Sequence, residues 1–262
     1  MRIAAVALCA AGLIASDYTD SIKKWRAERE TRLKAPDGWL SLSGLTWLNP
    51  GDNPVRGGEM TVEGDRVTYK RLASSETKVL RPDTDDYVSA DGVKLFVIKR
   101  GQRYGVRIKD NNSEYRRNFT KLDWYPVDPS WRVTAKYIPF DTPQKRFFDA
   151  QAGDKQEMVI PGTVEFTRAG KTFRVSPILE ADQFFLVFRD TTAGKTTYPA
   201  ARFLYAKAPN KAGPVELDFN KAYNPPCVFT PYATCPLPPP ENRLSIPVEA
   251  GEKMYNTAWH SK

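Results

Sequence analysis

The residues best suited to chemistry lie in a proline-rich segment near the C-terminus, residues 224–247. Eight of its 24 residues are proline, which excludes an α-helix and a central β-strand and leaves extended, polyproline-like backbone. Rigid loops held on a scaffold commonly carry binding residues. The segment is therefore a candidate ligand site that displays Asn224, Tyr232, Glu241 and Asn242. The alternative is that it only closes one end of a β-domain.

Two cysteines, Cys227 and Cys235, lie in the same segment. In an oxidising compartment a pair with this spacing favours a disulfide, and its short loop corresponds to about 2.5 kcal/mol of stabilisation through chain entropy. Free thiols and a metal site are the alternatives. Structural zinc requires two close cysteine pairs or a cysteine–histidine set, whereas the single histidine, His260, stands almost at the end of the chain.

The lack of an internal histidine narrows the possible reactions. A Ser-His-Asp or Cys-His nucleophilic system is excluded, and histidine-ligated zinc or haem is disfavoured for the same reason. We therefore expect no metal and no cofactor. Whether the protein is an enzyme stays open at this point.

The first 16 residues are typical of a secretory signal peptide. Arg2 supplies a positive charge, residues 3–15 form an apolar run, and small residues end it. The run is too short to cross a bilayer, which takes about 20 apolar residues. An uncleaved apolar N-terminus and lipidation at Cys9 are the alternatives. We expect a periplasmic or extracellular protein without a transmembrane span.

The chain is basic, with a formal net charge of +8, and residues 99–121 carry eight basic residues against two acidic ones. Strand alternation places Arg103, Arg107 and Lys109 on one face. This pattern is typical of a solvated strand face, and the alternative is a surface for an anionic ligand or the cell envelope. Nucleic acid is not expected as a partner, because an exported protein rarely meets it.

The elements that must position these residues are a helix followed by many short strands. Helical spacing of Tyr18, Ile22, Trp25 and Leu33 predicts an amphipathic helix. Short alternating runs between glycine- and proline-rich turns then predict a mainly β fold of antiparallel, sandwich- or barrel-like sheets. The predicted organisation, which is also compatible with one continuous domain, is a signal peptide at 1–16, the helix at 17–36, and β units at 37–140 and 157–250, the second including segment 224–247.

Four stretches together resemble one known family. Residues 217–244, 197–204, 37–42 and 44–48 resemble the bacterial and archaeal family called domain of unknown function 1684. The resemblance spans about residues 20–252 and implies no established activity. Ala201 stands where that pattern expects glycine. The family pattern falls on Arg202, Asp218, Asn220, Asn224, Cys227, Cys235, Glu241 and Asn242.

Two functions are compatible with these positions. The first is an envelope protein that binds a small anionic or polar ligand, in which Arg202 pairs with a carboxylate or phosphate through its planar fork. The polar residues proposed to help it are Asn220, Asn224, Tyr232 and Asn242.

The second is a hydrolase in which Asp218 and Glu241 act as an acid/base pair about 5–10 Å apart, with Asp190 as a further candidate. A structural ion pair of Arg202 with Asp218 or Glu241 is the alternative to both functions.

Overall fold

The structure, a computed structural model, describes residues 4–255, with side chains from residue 16 onward. The predicted signal peptide, residues 1–16, falls almost entirely outside the described side chains, as does Cys9, and His260 lies outside the described residues. In the described part of the chain, no helix is long and apolar enough to span a membrane.

The predicted helix forms part of a longer one, α1 (Ala4–Lys34). Its buried side chains are Ile22 and Leu33, as the helical spacing predicted. The helix ends just before Pro36, and the last turn carries Arg32 and Lys34, whose positive charges interact favourably with the helix C-terminus. A second, one-turn helix, α2 (Glu114–Arg117), follows much later in the chain.

Eight strands follow α1 in the first half of the chain and form a β-sandwich. They make two antiparallel four-stranded sheets, in the orders β1–β8–β7–β6 and β2–β3–β4–β5. Inward-facing side chains from both sheets, such as Met60 and Leu95, share one core. The strands are β1 (Leu42–Trp47), β2 (Gly51–Val55), β3 (Gly58–Glu63), β4 (Arg66–Arg71), β5 (Thr77–Leu80), β6 (Tyr87–Ala90), β7 (Val93–Arg100) and β8 (Arg103–Lys109).

The second half contains two further antiparallel sheets. Their strand orders are β11–β10–β9–β15 and β12–β13–β14, which confirms the mainly β, antiparallel prediction. The strands are β9 (Arg132–Asp149), β10 (Lys155–Arg168), β11 (Lys171–Val175), β12 (Ile178–Glu180), β13 (Gln183–Phe188), β14 (Arg202–Lys207) and β15 (Gly213–Asp218).

The long β9–β10 hairpin runs through residues 139–161, the region that separated the two predicted β units. Lys155 pairs with Asp149 at its tip, and Glu165 pairs with Lys136 at the other end of the ladder. A boundary at 140–157 would therefore cut this antiparallel hairpin, whose register shifts between Ile160 and Gly162. The strand pattern changes instead between β8 and β9, and the division into two units stays a prediction.

Strand β13 is apolar on both sides because it is covered on both sides. Phe184, Leu186 and Phe188 enter the core shared with β9, β10 and β15. Phe185 and Val187 point the opposite way and pack with residues of α1 and of segment 224–247. Strand alternation thus gives the β12–β13–β14 sheet a second apolar face, and this face forms the floor of the candidate site.

The proline-rich segment 224–247 lies against the body of the protein. It contains two short 3₁₀ turns, Pro226–Val228 and Pro240–Asn242, where the sequence predicted extended backbone only. Proline favours the first position of a helical turn, because its φ is already near the helical value and its missing N–H is not needed there. Pro225 and Pro239, which precede the turns, do have extended backbone.

Candidate functional site

A cavity of about 670 Å³ lies between α1, the β12–β13–β14 sheet and the C-terminal segment. Its volume falls within the roughly 300–1,000 Å³ that is usual for small-molecule sites. We call it the aromatic cavity, because seven of its lining residues are aromatic. The lining residues are Trp25, Arg29, Arg32, Leu33, Trp39, Gln183, Phe185, Phe203, Tyr205, Lys221, Tyr223, Pro226 and Phe229.

The aromatic cavity has a buried floor and an exposed rim. Phe185, Phe203 and Phe229 are all buried and form the floor. Trp39 and Tyr205 are 37% and 38% exposed and belong to the rim. A ligand that enters therefore meets apolar surface inside and larger, partly solvated side chains at the mouth.

The rings of the floor hold each other in place. Phe185 contacts Phe203 edge-on and Tyr205 in a stacked geometry, with ring centroids 4.8 Å apart in both pairs. Tyr205 in turn stacks on Tyr223 at 6.4 Å. Such offset and edge-to-face contacts are the favoured aromatic geometries, so the floor is pre-organised.

Among the described residues, three cations and no carboxylate line the aromatic cavity. Arg32 is exposed, and its nearest acidic partner, Glu28, is 3.8 Å away on the same helix. Lys221 is about one-third exposed and lies 3.5 Å from Asp218. The Arg32–Glu28 pair is exposed and solvent-screened, whereas Asp218 is 7% exposed and partly compensates Lys221. The charge that remains available to a ligand at the rim is therefore mainly positive.

The third cation, Arg29, ties α1 to the end of the chain. Its Nε donates to Glu252 at 2.9 Å, one Nη donates to the Asn224 carbonyl at 2.9 Å, and the guanidinium lies 4.3 Å from the Tyr223 ring centroid. Glu252 is fully buried, and this burial raises the pKa of its carboxyl, while Arg29 and Asn224 act in the opposite direction. Gly251 precedes it with φ +78°, and a Cβ there would lie 2.4 Å from the Ala222 carbonyl oxygen.

Tyr205 carries a hydroxyl at the rim. It donates to Glu180 at 2.7 Å. Burial, the neighbouring Tyr223 and Glu180 raise the pKa of Tyr205, and burial also raises the pKa of Tyr223. Both phenols therefore stay protonated at neutral pH and act as neutral polar groups.

Arg202, the predicted ligand-binding arginine, lies in the core and not among the residues that line the aromatic cavity. It is 1% exposed and pairs with Asp190 at 2.6 Å. It also donates to the carbonyl oxygens of Ala250 at 2.5 Å and Val248 at 2.8 Å. An ion pair was the structural alternative for Arg202, but its partner is neither Asp218 nor Glu241.

The two predicted acid/base carboxylates lie in separate networks with no hydrogen-bond partner in common. Asp218 accepts from the Tyr18 hydroxyl at 2.8 Å. Glu241 accepts from Ser176 at 2.6 Å and pairs with Arg146 at 2.6 Å. Burial raises the pKa of Glu241, but hydrogen bonds from Ser176, Arg146 and the backbone, together with the Arg146 charge, lower it overall. A lowered pKa disfavours a general acid, and the catalytic role of the two carboxylates stays a prediction.

The three predicted amide residues hold backbone segments together. Asn220 accepts from the Asp128 amide at 2.9 Å and donates to its carbonyl at 2.8 Å. Asn242 bonds in the same two-way manner to Ser176. Asn224 donates to Glu252 and to the Lys253 carbonyl, both at 2.7 Å. Asn224 is therefore adjacent to the aromatic cavity through Glu252 and Arg29.

Tyr232 packs with its ring edge on Tyr115, with centroids 6.4 Å apart. Neither it nor Asn242 lines the aromatic cavity. The structure therefore does not bring the five predicted ligand-binding residues to one cavity. A ligand-binding role for them stays a prediction, and their described contacts give them structural roles.

Cys227 and Cys235 are adjacent and buried, in the thiol form. The Cys227 amide donates to the Cys235 sulfur at 3.3 Å, and burial raises the pKa of the Cys227 thiol. Pro226 and Phe229, one residue before and two residues after Cys227, line the cavity, whereas neither cysteine does. The disulfide stays a prediction.

Sequence reasoning missed the residues that form the aromatic cavity. The helical spacing placed Trp25 and Leu33 on the apolar face of α1, and this was the available signal. The same spacing places Arg29, one turn beyond Trp25, on that face, where a charged residue must have a partner.

The fold and the cavity define a mainly β protein whose N-terminal helix closes an aromatic cavity. Residues 117–253 match the model of a family described as a protein of unknown function, DUF1684. The match covers more than half of the chain, and the chain belongs to this family, as its sequence predicted. The matched region begins later than the predicted span, which started near residue 20.

Among solved structures, the chain is similar to an uncharacterized protein from Haloarcula marismortui, determined by solution NMR. The identity is 28% and the TM-score 0.45, over 53% of this chain and 78% of that one. No curated protein matches the chain.

Proposed function

We propose that this protein binds a small anionic ligand in the aromatic cavity, without catalysing a reaction on it. The observation that carries the proposal is a cavity of about 670 Å³ whose described lining includes no carboxylate and three cations, of which Arg32 and Lys221 lie at the rim and Arg29 is paired with Glu252. Arginine and lysine at the edge of an apolar cavity attract oxyanions and fix their orientation. The proposal keeps the predicted ligand class and moves the site from Arg202 to the aromatic cavity.

Binding rather than hydrolysis is supported by the chemistry of the lining. Its titratable groups are the three cations and the two phenols of Tyr205 and Tyr223, which stay protonated. General acid–base catalysis needs a group whose pKa lies near the working pH. The cavity lining offers groups that hold and orient an anion but no acid/base pair.

Charge reversal at the rim tests the proposal. We expect 2-naphthoate to bind the wild type, and the Arg32→Glu/Lys221→Glu double variant to bind it at least tenfold more weakly. The physical reason is that each substitution replaces a favourable charge by a repulsive one at the rim. Isothermal titration calorimetry at low ionic strength measures the difference.

The matched control is Lys23→Glu, a charge reversal on the exposed face of the same helix, where Lys23 pairs only with Asp20. This variant should bind as the wild type does. The control changes the net charge by two units and the double variant by four. A control that loses half as much binding free energy as the double variant would therefore show that net charge alone is responsible, and the proposed site would then be wrong.

We further propose that the protein is exported and that Cys227 and Cys235 form a disulfide there. Loss of residues 1–16 and of two hydrogen atoms should appear in the intact mass of protein from the extracytoplasmic fraction.

The oxidised protein should melt about 5–10 °C above a Cys227→Ser variant, because the nine-residue loop corresponds to about 2.5 kcal/mol. Absence of the protein from the extracytoplasmic fraction would contradict export, an intact N-terminus would contradict cleavage, and unchanged melting would contradict the disulfide.

A further inference from the structure

The lining of the aromatic cavity consists mainly of aromatic rings, which an anion site does not require. Such a lining can select among anions by the shape and type of their apolar part. Seven of its 13 lining residues are aromatic, and the aliphatic contribution comes from Leu33 and Pro226 alone. A cavity for an alkyl chain can be lined by any apolar side chain, whereas rings contribute additional, geometry-dependent contacts to another ring. The aromatic composition of the walls therefore indicates the chemical type of the apolar part of the ligand, in addition to its charge.

We infer that the ligand is an aromatic anion, whose ring enters between the aromatic walls while its carboxylate, sulfonate or phosphate stays at the rim near Arg32 and Lys221. The inference rests on the proposed function, since it names the class of anion that the same cavity takes. Three observations support it: the buttressing of the two tryptophans, the cations already seated on ring faces, and the gradient of exposure from floor to rim.

Both tryptophans in the lining are held from outside the cavity. Trp25 contacts Trp124 edge-on, with centroids 5.8 Å apart. Trp39 carries the Arg107 guanidinium 5.1 Å from its ring centroid. Neither Trp124 nor Arg107 lines the cavity. Rings fixed in this way lose little entropy when a ligand ring packs on them, which favours ring binding.

The cations that lie over the rings distinguish an aromatic site for a cation from an aromatic site for an anion. Aromatic cages recognise quaternary ammonium groups through the negative faces of their rings. Here Arg107 lies over Trp39 at 5.1 Å and Arg29 lies over Tyr223 at 4.3 Å. A cationic ligand would approach rings that already hold a cation and would also meet Arg32 and Lys221. The arrangement therefore disfavours a cation and favours a ring that bears a negative charge.

The exposure gradient fixes the orientation of the ligand. Phe229 and Phe203 on the floor are 1% and 5% exposed, whereas Lys221 has 37% of its side chain exposed. An anionic group on the floor would lose its hydration, and the cation nearest the floor, Arg29, lies 6.0 Å from the Phe229 ring centroid but is already paired with the buried Glu252. At the rim the same group keeps part of its water and gains two cations.

A matched set of three probes tests the inference: 2-naphthoate, its saturated analogue decahydro-2-naphthoate, and the cation 2-naphthylmethyl-trimethylammonium. The two carboxylates share their charge and carbon skeleton and differ in aromaticity. We expect 2-naphthoate to bind about tenfold more tightly than the saturated acid, and the ammonium not to bind measurably. Titration calorimetry gives all three affinities.

The Trp39→Leu variant assigns the preference to the cavity. It should reduce the tenfold preference for the aromatic acid to about twofold and leave the affinity for the saturated acid nearly unchanged. The matched control is Trp47→Leu, because Trp47 also carries an arginine, Arg103, on its face at 4.0 Å but lies outside the cavity. The control should keep the full preference, and thermal melting should show that both variants are folded.

The possible failures can be distinguished from each other. If both carboxylates bind equally well, the aromatic inference is overturned and anion binding stands. Tighter binding of the ammonium than of 2-naphthoate would overturn both, since the cavity would then be a cation cage. If no probe binds, anion binding and the aromatic inference are both overturned. If Trp47→Leu removes the preference as Trp39→Leu does, only the aromatic inference is overturned.

Discussion

An Asp190→Asn variant is expected to unfold with a free energy about 3–5 kcal/mol lower than that of the wild type. Breaking a buried ion pair by removing one partner leaves the other charge uncompensated, and the cost is of that size. Asp190 and Arg202 both have side chains that are only 1% exposed. The substitution keeps the size of the side chain, removes its charge and replaces one acceptor oxygen by an NH2 donor, so the loss combines the broken ion pair with a lost hydrogen-bond acceptor.

The effect should extend beyond the pair, because Asp190 and Arg202 organise two chain segments. Asp190 accepts from the Val248 amide at 3.2 Å and from both the amide and the hydroxyl of Thr192, at 2.8 and 2.6 Å. Arg202 holds the carbonyl oxygens of Val248 and Ala250. The last described stretch of the chain is thus fixed from both sides by one ion pair.

Urea unfolding followed by circular dichroism measures the loss. The comparison variant is Glu216→Gln, which breaks the Arg132–Glu216 pair at 2.6 Å, where both side chains are about half exposed. An exposed pair contributes at most about 1 kcal/mol, so this variant should stay close to the wild type. Similar losses in the two variants would mean that the buried pair has no special role.

Arg202 illustrates which structural features of a residue can be predicted from the sequence and which cannot. The alternation in β14 puts Arg202 on the same face as Leu204 and Ala206, and that face is the core. The alternation indicates which residues of β14 share a face, but it does not indicate which of the two apolar faces of the sheet is more deeply buried. Arginine also has a strong association with anion binding, and this led to a ligand role for a residue that is buried and paired.

Sequence patterns predicted the elements whose formation depends on residues close together in the sequence. The helix was predicted from the spacing of Ile22 and Leu33, and the hairpins from turn residues between alternating runs. The aromatic cavity could not be predicted in the same way, because four separate stretches form it: residues 25–39, 183–185, 203–205 and 221–229. Sequence spacing carries no information about which of these stretches meet in space.

The ion pair between Arg29 of α1 and Glu252 is a long-range contact that holds α1 against the aromatic cavity. We expect an Arg29→Met variant to lose about 3–5 kcal/mol of unfolding free energy at pH 8. Arg29 is the cation that pairs with Glu252, whose side chain is fully buried. Methionine keeps most of the apolar stem of the side chain and removes the guanidinium, so Glu252 is left with the Asn224 amide as its described partner.

The loss should depend on pH, and the direction follows from Glu252. Burial already raises the pKa of this carboxyl in the folded protein, and Arg29 is a group that lowers it. Without Arg29, the folded pKa rises further above the unfolded value of about 4.3. The folded state then binds the proton more tightly than the unfolded state, so stability is highest below about pH 4.3 and is lost as the pH rises through the folded pKa.

Unfolding in urea at pH 5 and at pH 8 tests this argument. The difference between wild type and Arg29→Met should be larger at pH 8, because Glu252 is then charged and has lost its cation. Adding Glu252→Gln to Arg29→Met should remove this pH dependence, since no carboxyl is left to titrate. Arg32→Met, one turn farther along the exposed edge of α1, is the matched control and should cost about 0.5 kcal/mol or less at either pH. A loss in Arg29→Met that is the same at both pH values would show that Glu252 does not carry a buried charge, and the role assigned to Arg29 would then be wrong.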